Sequence, residues 1–338
     1  MQPDDKDFVL EVNDLSTHFY SREGTVKAVD GVSFSIERRR TLGIVGESGC
    51  GKSVTSQSIL RLIPKNGKIV AGQILFRSRS GTVDLSQLDP DGEQMRSIQG
   101  REIAMIFQEP MTSFCPVYSI GNQIAEVIAL HQGVKKDEAR RLTLETLRLV
   151  GMPNPDEIID AYPFNLSGGM RQRAMIAMAL SCRPSLLIAD EPTTAVDVTI
   201  QALVLELMKK MQEELNMAVI LITHDLGVVG DMADDVLVMY LGKNVEYGSV
   251  RDLFRNPLHP YTRGLIDSIP KLGQASGSTI EPIAGSVPSV YEMPTGCRFH
   301  TRCPRFMAGI CDKEEPPNVE VTPGHSTACW LYADRGTS

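Results

Sequence analysis

Apolar and polar positions alternate along Phe8–Phe19 and again along Val26–Ile36, with a Ser-Arg-Glu-Gly turn between them. That period of two predicts a pair of antiparallel strands. Further along, the pattern changes. Leu42–Val45, Ile103–Phe107, Leu186–Ala189 and Ala218–Thr223 are short, continuous apolar runs, as expected of strands buried on both faces of a parallel sheet. Between them, Ser53–Leu62, Ile120–Gln132, Lys135–Val150, Met170–Leu180 and Thr199–Leu215 carry apolar residues at three- and four-residue spacing and predict helices. Ile69–Phe76 is a further strand, to which Val83–Leu85 pairs back across the polar, turn-rich Ser78–Asp91. Val236–Tyr240 and Lys243–Tyr247, joined around Gly242, read as a hairpin. Strand and helix alternate, so the fold class is α/β. From Asn256 onward the composition shifts to Pro, Gly and Ser, and a small, loop-rich C-terminal extension is expected.

Composition changes this picture little. With 338 residues, 42% of them hydrophobic and 22% charged, the chain has the make-up of a large globular core plus something smaller. The net charge of −8 lacks the basic footprint of a nucleic-acid binder. Arg38-Arg39-Arg40 reads as a solvated turn before a strand. No apolar run approaches the roughly 18 residues that span a bilayer. The start, MQPDDKDFVL, is acidic and lacks a signal-peptide pattern. A cytosolic chain is expected, and any membrane association would have to come through other subunits. An exposed Cys50 thiol, placed in a glycine-rich loop, fits a reducing compartment.

Three stretches carry chemistry. Gly46–Ser53 reads GESGCGKS, a G-x-x-x-x-G-K-S/T string set between a strand and a helix. Its glycines let backbone N–H groups wrap a β-phosphate, Lys52 puts a point charge on the β- and γ-phosphates, and Ser53 completes a Mg²⁺ shell. Leu186–Ala189 delivers Asp190 and Glu191 to the C-terminal end of a buried strand, and Pro192 stops it. One carboxylate there suits Mg²⁺, and its neighbour can polarise an attacking water. Ser167-Gly168-Gly169 opens a helix with an N-cap serine and free N–H groups at the positive end of a dipole, which is an anion site. A helix of a dozen residues spans roughly 18 Å. One phosphate is therefore not expected to touch both Ser167 and the carboxylates of one chain, and the anion at Ser167 is assigned to a second subunit.

In this order, these motifs resemble the ATPase subunits of ABC transporters, and specifically the oligopeptide/dipeptide importer branch. The resemblance runs over nearly the whole length. It implies a P-loop NTPase cassette: a mainly parallel RecA-like core, an antiparallel β subdomain, a helical subdomain at about 109–180, and domains at 1–255 and 256–338. It places Gln108 of IFQEPMTS as the Q-loop glutamine beside Mg²⁺, Asp197 of TTAVD as the D-loop aspartate, and His224 of LITHD as the γ-phosphate contact. Phe19 is placed on the adenine, with Tyr20 as a competitor. Gly46, Glu47, Ser48, Gly49, Cys50, Gly51, Lys52 and Ser53 would cradle ATP, Asp190 would hold Mg²⁺, and Glu191 would be the catalytic base. His259-Pro260-Tyr261 resembles the C-terminal mark of peptide-type importers. Implied partners are a second, non-identical ATPase subunit, two transmembrane permeases docked on the Q-loop and helical face, and an extracytoplasmic solute-binding protein. The chain would sit peripherally on the cytoplasmic face of the membrane. Nickel, glutathione or oligosaccharide are alternative cargoes.

Three departures from the family pattern stand out: Met170 where Gln is common, Cys50 for Ser, which opens the loop to thiol modification, and Cys115 for Asn. A chromosome or DNA-repair ATPase of this fold would need a long coiled coil between the motifs, and a translation-associated one would need two cassettes. The sequence has neither. Near the end, Cys297, Cys303, Cys311 and Cys329 are spaced C-x5-C-x7-C-x17-C, with His325 nearby. The spacing lacks the C-x2-C pairs usual for structural zinc. It is compatible with an iron–sulfur cluster, and the segment resembles a family extension that carries a 4Fe–4S cluster. Zinc and free or disulfide-bonded thiols are the competing readings.

Overall fold

The computed structural model describes residues 7–107, 113–193, 198–269 and 283–333. In chain order the strands and helices begin with β1 (Phe8–Ser21), β2 (Gly24–Glu37), β3 (Thr41–Val45), α1 (Lys52–Ile59), β4 (Gly67–Ser78), β5 (Gly81–Asp84), α2 (Glu93–Ile98) and β6 (Ile103–Ile106). Then follow α3 (Ile120–Gln132), α4 (Lys136–Leu149), α5 (Pro155–Ile158), α6 (Gly168–Leu180), β7 (Leu186–Asp190), α7 (Val198–Leu215) and β8 (Ala218–Ile222). The last elements are α8 (Leu226–Met232), β9 (Asp235–Tyr240), β10 (Lys243–Ser249), α9 (Val250–Arg255), α10 (Pro260–Asp267), β11 (Asn318–Thr322) and β12 (His325–Ala328). Among the described residues no helix is long and apolar enough to cross a membrane.

The chain divides into two compact units. One comprises Met1–Val9, Ile36–Arg40 and Phe76–Leu221. In it β8, β7 and β6 lie side by side, and β6 and β7 run parallel with Ile103 opposite Leu186 and Ile106 opposite Ala189. Every residue of β7 and β8 is buried, which explains their unbroken apolar runs. Helices α3 and α4 turn Ile120, Ile124 and Ile128, and Ala139 and Leu147, inward. Ser119 caps α3 and Gly133, at φ 66°, ends it, so both boundaries are written in residues suited to them.

The other unit comprises Leu10–Ser35, Thr41–Leu75 and Ile222–Ser338. Its long strands pair in the order β2-β1-β4, and a second sheet runs β11-β12-β10-β9-β3. β3 and β9 are parallel, with Leu42 opposite Asp235 and Val45 opposite Val238. β9 turns into β10 through Leu241 (φ 45°) and Gly242 (φ 83°). Positive φ at both central residues is the hairpin geometry that matches strand twist.

Two elements depart from the expected loop-rich extension: β12 pairs with β10 (Glu246 opposite Thr327), and β11 pairs with β12. A buried carboxylate anchors this addition. Glu246 accepts the N–H groups of Leu258 (2.9 Å) and His259 (2.8 Å) and lies 2.8 Å from His325 Nε2. His259 Nδ1 in turn accepts from Tyr261 N at 3.1 Å, so it caps α10 while Pro260 occupies the first turn. The His-Pro-Tyr string is thus a helix start.

His259 is buried, and burial depresses its pKa to about 4, with Glu246 opposing. The unfolded chain takes up that proton near pH 6.5, whereas the fold resists it down to about 4. The contribution of His259 to stability is therefore complete above pH 6.5 and is lost as pH falls between those values, at up to about 1.4 kcal/mol per pH unit. Urea midpoints at pH 7 and 5.5 test this. H259N keeps a capping acceptor without a titrating ring and is expected to show a shallower pH dependence than the unaltered chain.

Candidate functional site

The loop Gly46–Ser53 leaves β3 and enters α1 through three glycines at φ 151° (Gly46), 79° (Gly49) and 104° (Gly51). A Cβ on Gly46 would lie 2.2 Å from the Met239 carbonyl oxygen, and one on Gly51 would lie 2.2 Å from that of Ala28. Only glycine lets the loop pass so close to neighbouring backbone. A Cβ on Gly49 would meet nothing within 4 Å, so there is open space beside the loop at that position. Lys52 is buried, and its ammonium donates to the carbonyl oxygens of Gly46 (2.7 Å) and Glu47 (3.1 Å). The loop's own acceptors hold the ammonium as phosphate oxygens would, so the residues present fit a triphosphate.

Cys50 corrects the sequence expectation of an exposed, modifiable thiol. The residue is only 3% exposed and its thiol turns inward, with Sγ 3.8 Å from Lys52 Nζ, and burial raises its pKa. The buried thiol is neutral and shielded, the opposite of a reactive cysteine.

Phe19 is half-buried, lying where a Cβ on Gly67 would come within 2.7 Å of its ring, and Tyr20 beside it is 46% exposed. His224 follows β8 and is exposed, and Asp225 caps α8 through Gly227 N at 2.8 Å.

In the other unit, β7 ends in Asp190, 4% exposed, followed by half-buried Glu191 at φ 48°. A glutamate in the left-handed region is strained by about 1–3 kcal/mol, a feature concentrated at functional sites. Ser167 caps α6 as expected, accepting from Met170 N at 3.3 Å, and the exposed tip leaves Gly168 open. Sequence reasoning missed Gln172. Fully buried one turn into α6, it donates from Nε2 to the Pro192 carbonyl oxygen and so ties this helix to the segment that carries Glu191. A glutamine on a helix gives no sequence signal of that reach. Gln108 and Asp197 lie outside the described residues.

All four C-terminal cysteines are free thiols, as are the other three. Burial pushes Cys297 up to about 12 and Cys329 up to about 11, with the neighbouring thiols adding to each shift. The backbones of two of them also meet, with Cys297 N donating to Cys311 O at 2.8 Å. Nevertheless, among the described residues no group of three or more His, Cys, Asp or Glu is arranged to hold a metal. His325 is engaged by Glu246 instead. The thiols do not fit the expected 4Fe–4S cluster in this arrangement.

Residues 29–194 match the family described as ABC transporter, and residues 245–311 match the oligopeptide/dipeptide transporter C-terminal region. A probable peptide ABC transporter ATP-binding protein of Sinorhizobium fredii is 51% identical, with 96% of this chain and 95% of that protein covered. In Bacillus subtilis, a dipeptide transport ATP-binding protein is 48% identical (97% of this chain, 96% of that protein), and an oligopeptide transport ATP-binding protein is 49% identical (97% and 98%). Among solved structures, a dimeric ATP-binding cassette holding ADP and phosphate superposes with TM-score 0.62 at 24% identity, covering 72% of this chain and 99% of its own, which shows the shared fold. A Clostridium perfringens ABC transporter component gives TM-score 0.61 at 27% identity, covering 74% of this chain and 92% of its own. The chain belongs to the ABC transporter family, as an ATP-binding, ATP-hydrolysing subunit of P-loop NTPase fold that carries the oligopeptide/dipeptide C-terminal region.

Proposed function

We propose that the chain powers import of di- or oligopeptides through partner permeases. The observation that carries this reading is full-length likeness, near half identity, to peptide-transport ATP-binding proteins that includes the C-terminal region. In this reading the domains are 1–255 and 256–338, with the helical subdomain at about 109–180. Phe19 holds the adenine, and the loop amides and Lys52 bind the β- and γ-phosphates. Mg²⁺, when bound, neutralises phosphate charge, and Ser53, Gln108 and Asp190 are its oxygen donors. Glu191 takes a proton from the attacking water, and His224 contacts the γ-phosphate. The tip of α6 at Ser167–Gly169, with Asp197, meets the nucleotide of a second, non-identical ATPase subunit. Closure of the pair on ATP would move the permease helices, and product release would reopen them. The chain would act peripherally, on the cytoplasmic face of the membrane, with an extracytoplasmic solute-binding protein choosing the cargo.

Vesicles reconstituted with the chain, its neighbouring ATPase, permeases and binding protein are expected to accumulate labelled dipeptide only when ATP is supplied on the ATPase side. Accumulation of nickel, glutathione or an oligosaccharide, with no peptide uptake, would transfer the motor role to that solute. The 4Fe–4S reading rests on the cysteine spacing alone, since the described thiols as arranged assemble no metal set, and it enters no step above. Anaerobically purified protein containing stoichiometric iron and acid-labile sulfide would support it, and metal-free protein would remove it.

A further inference from the structure

One residue of the phosphate loop has three polar groups, and all three are engaged. The Glu47 carbonyl oxygen accepts from Lys52 (3.1 Å), and its N–H donates to the hydroxyl of Tyr261 (2.8 Å). Its carboxylate takes a two-pronged bond from Arg302, with Nη1 at 2.6 Å and Nη2 at 3.0 Å. Tyr261 and Arg302 both come from beyond residue 255, and both are buried. Each is itself held. The ring of Tyr261 packs against those of Tyr240 and Phe299, at centroid distances of 4.8 and 5.3 Å. Arg302 Nε donates to Ala284 O at 3.1 Å, and its guanidinium lies 5.9 Å from the ring centres of Tyr240 and Phe299.

This arrangement addresses a difficulty built into the sequence. A loop that must receive a polyanionic triphosphate carries a carboxylate at its second position. In a partly desolvated site that charge repels phosphate over several ångströms. Lys52 cannot cancel both it and the phosphates, since one ammonium carries a single positive charge. A planar guanidinium, always charged and matched to both carboxylate oxygens, is suited to holding Glu47 neutralised and fixed.

We propose that Arg302 and Tyr261 are positioning residues for nucleotide, acting through Glu47: the arginine cancels and restrains its charge, and the tyrosine hydroxyl pins its amide. The C-terminal segment thereby sets the affinity of the phosphate loop without touching ATP. This inference rests on nucleotide binding at Gly46–Ser53.

The purified chain is titrated with a fluorescent ATP analogue and with Mg-ATP in competition, and thermal midpoints and steady-state hydrolysis are recorded in parallel. R302A is expected to weaken binding by about tenfold, with kcat at saturating ATP changed less than about threefold, because the lost interaction acts on binding alone. Adding E47Q to R302A removes the exposed charge and is expected to recover most of the lost affinity. Y261F keeps the ring and is expected to weaken binding about two- to threefold, with an unchanged thermal midpoint. Should R302A fail to fold, R302Q with and without E47Q is read the same way.

Unchanged affinity in R302A overturns the proposal. So does a loss that E47Q does not recover, because a merely structural arginine would leave the fold, and not the charge, at fault. Unchanged affinity in Y261F removes the tyrosine's part. If the unaltered chain bound no Mg-ATP, the nucleotide reading itself would fall, and this inference with it.

Discussion

Glu191→Gln is expected to abolish nearly all ATP hydrolysis, by about a hundredfold or more, while leaving Mg-ATP affinity within about threefold. The carboxylate stands directly after a fully buried strand, on a residue held at φ 48°, so its position is dictated by β7 and by the loop that Gln172 tethers. Glutamine preserves size and hydrogen-bonding shape but cannot accept the proton of an attacking water. Closure would then go forward and its reversal would stall. Phosphate release assays should show the lost turnover, and size measurements in ATP should show a longer-lived pair of subunits. Undiminished turnover would remove Glu191 from the role of base.

The second large effect belongs to Gly51→Ala. The added Cβ would lie 2.2 Å from the Ala28 carbonyl oxygen at a φ of 104°, so sterics and backbone strain act together. The obstacle is backbone and cannot rotate away. The expected cost is at least about 3 kcal/mol, with nucleotide binding lost because α1 and Lys52 start at that point. Gly49→Ala offers an internal comparison. Its φ of 79° is also strained, but its Cβ would meet nothing within 4 Å, so its thermal midpoint should fall by much less. Equal losses for the two would contradict the steric account.

How much of this was legible in the sequence depended on which residues record geometry locally. The glycine spacing of Gly46–Ser53 is a record of backbone approach, so the loop, its strand and its helix were all readable, as were the N-cap at Ser167 and the boundaries of α3. Directions of side chains were not. Nothing in GESGCGKS says that Cys50 turns inward, because in a loop of glycines the orientation is set by what packs behind it. Long-range partners were equally hidden. Arg302 meets Glu47 across 255 positions, and β12 finds β10 across about 80, through pairings that neither stretch announces. The strands His325–Ala328 and Asn318–Thr322 are short and polar, too weak in pattern to stand out from the surrounding loops. The cysteine spacing suggested a metal set that the described side chains do not assemble.

The strand pairing at the far end has a practical consequence for anyone shortening this protein. A chain stopped near residue 255 would strip β12 from β10 and bare a row of unpaired amides and carbonyls beside the buried side chains of Val245 and Glu246. Such a flank invites stacking with other copies, whereas β11 presents alternating exposed positions with Glu320 among them, which discourages it. Truncated preparations should be judged first by whether they stay dispersed, before any loss of ATP turnover is blamed on the missing residues.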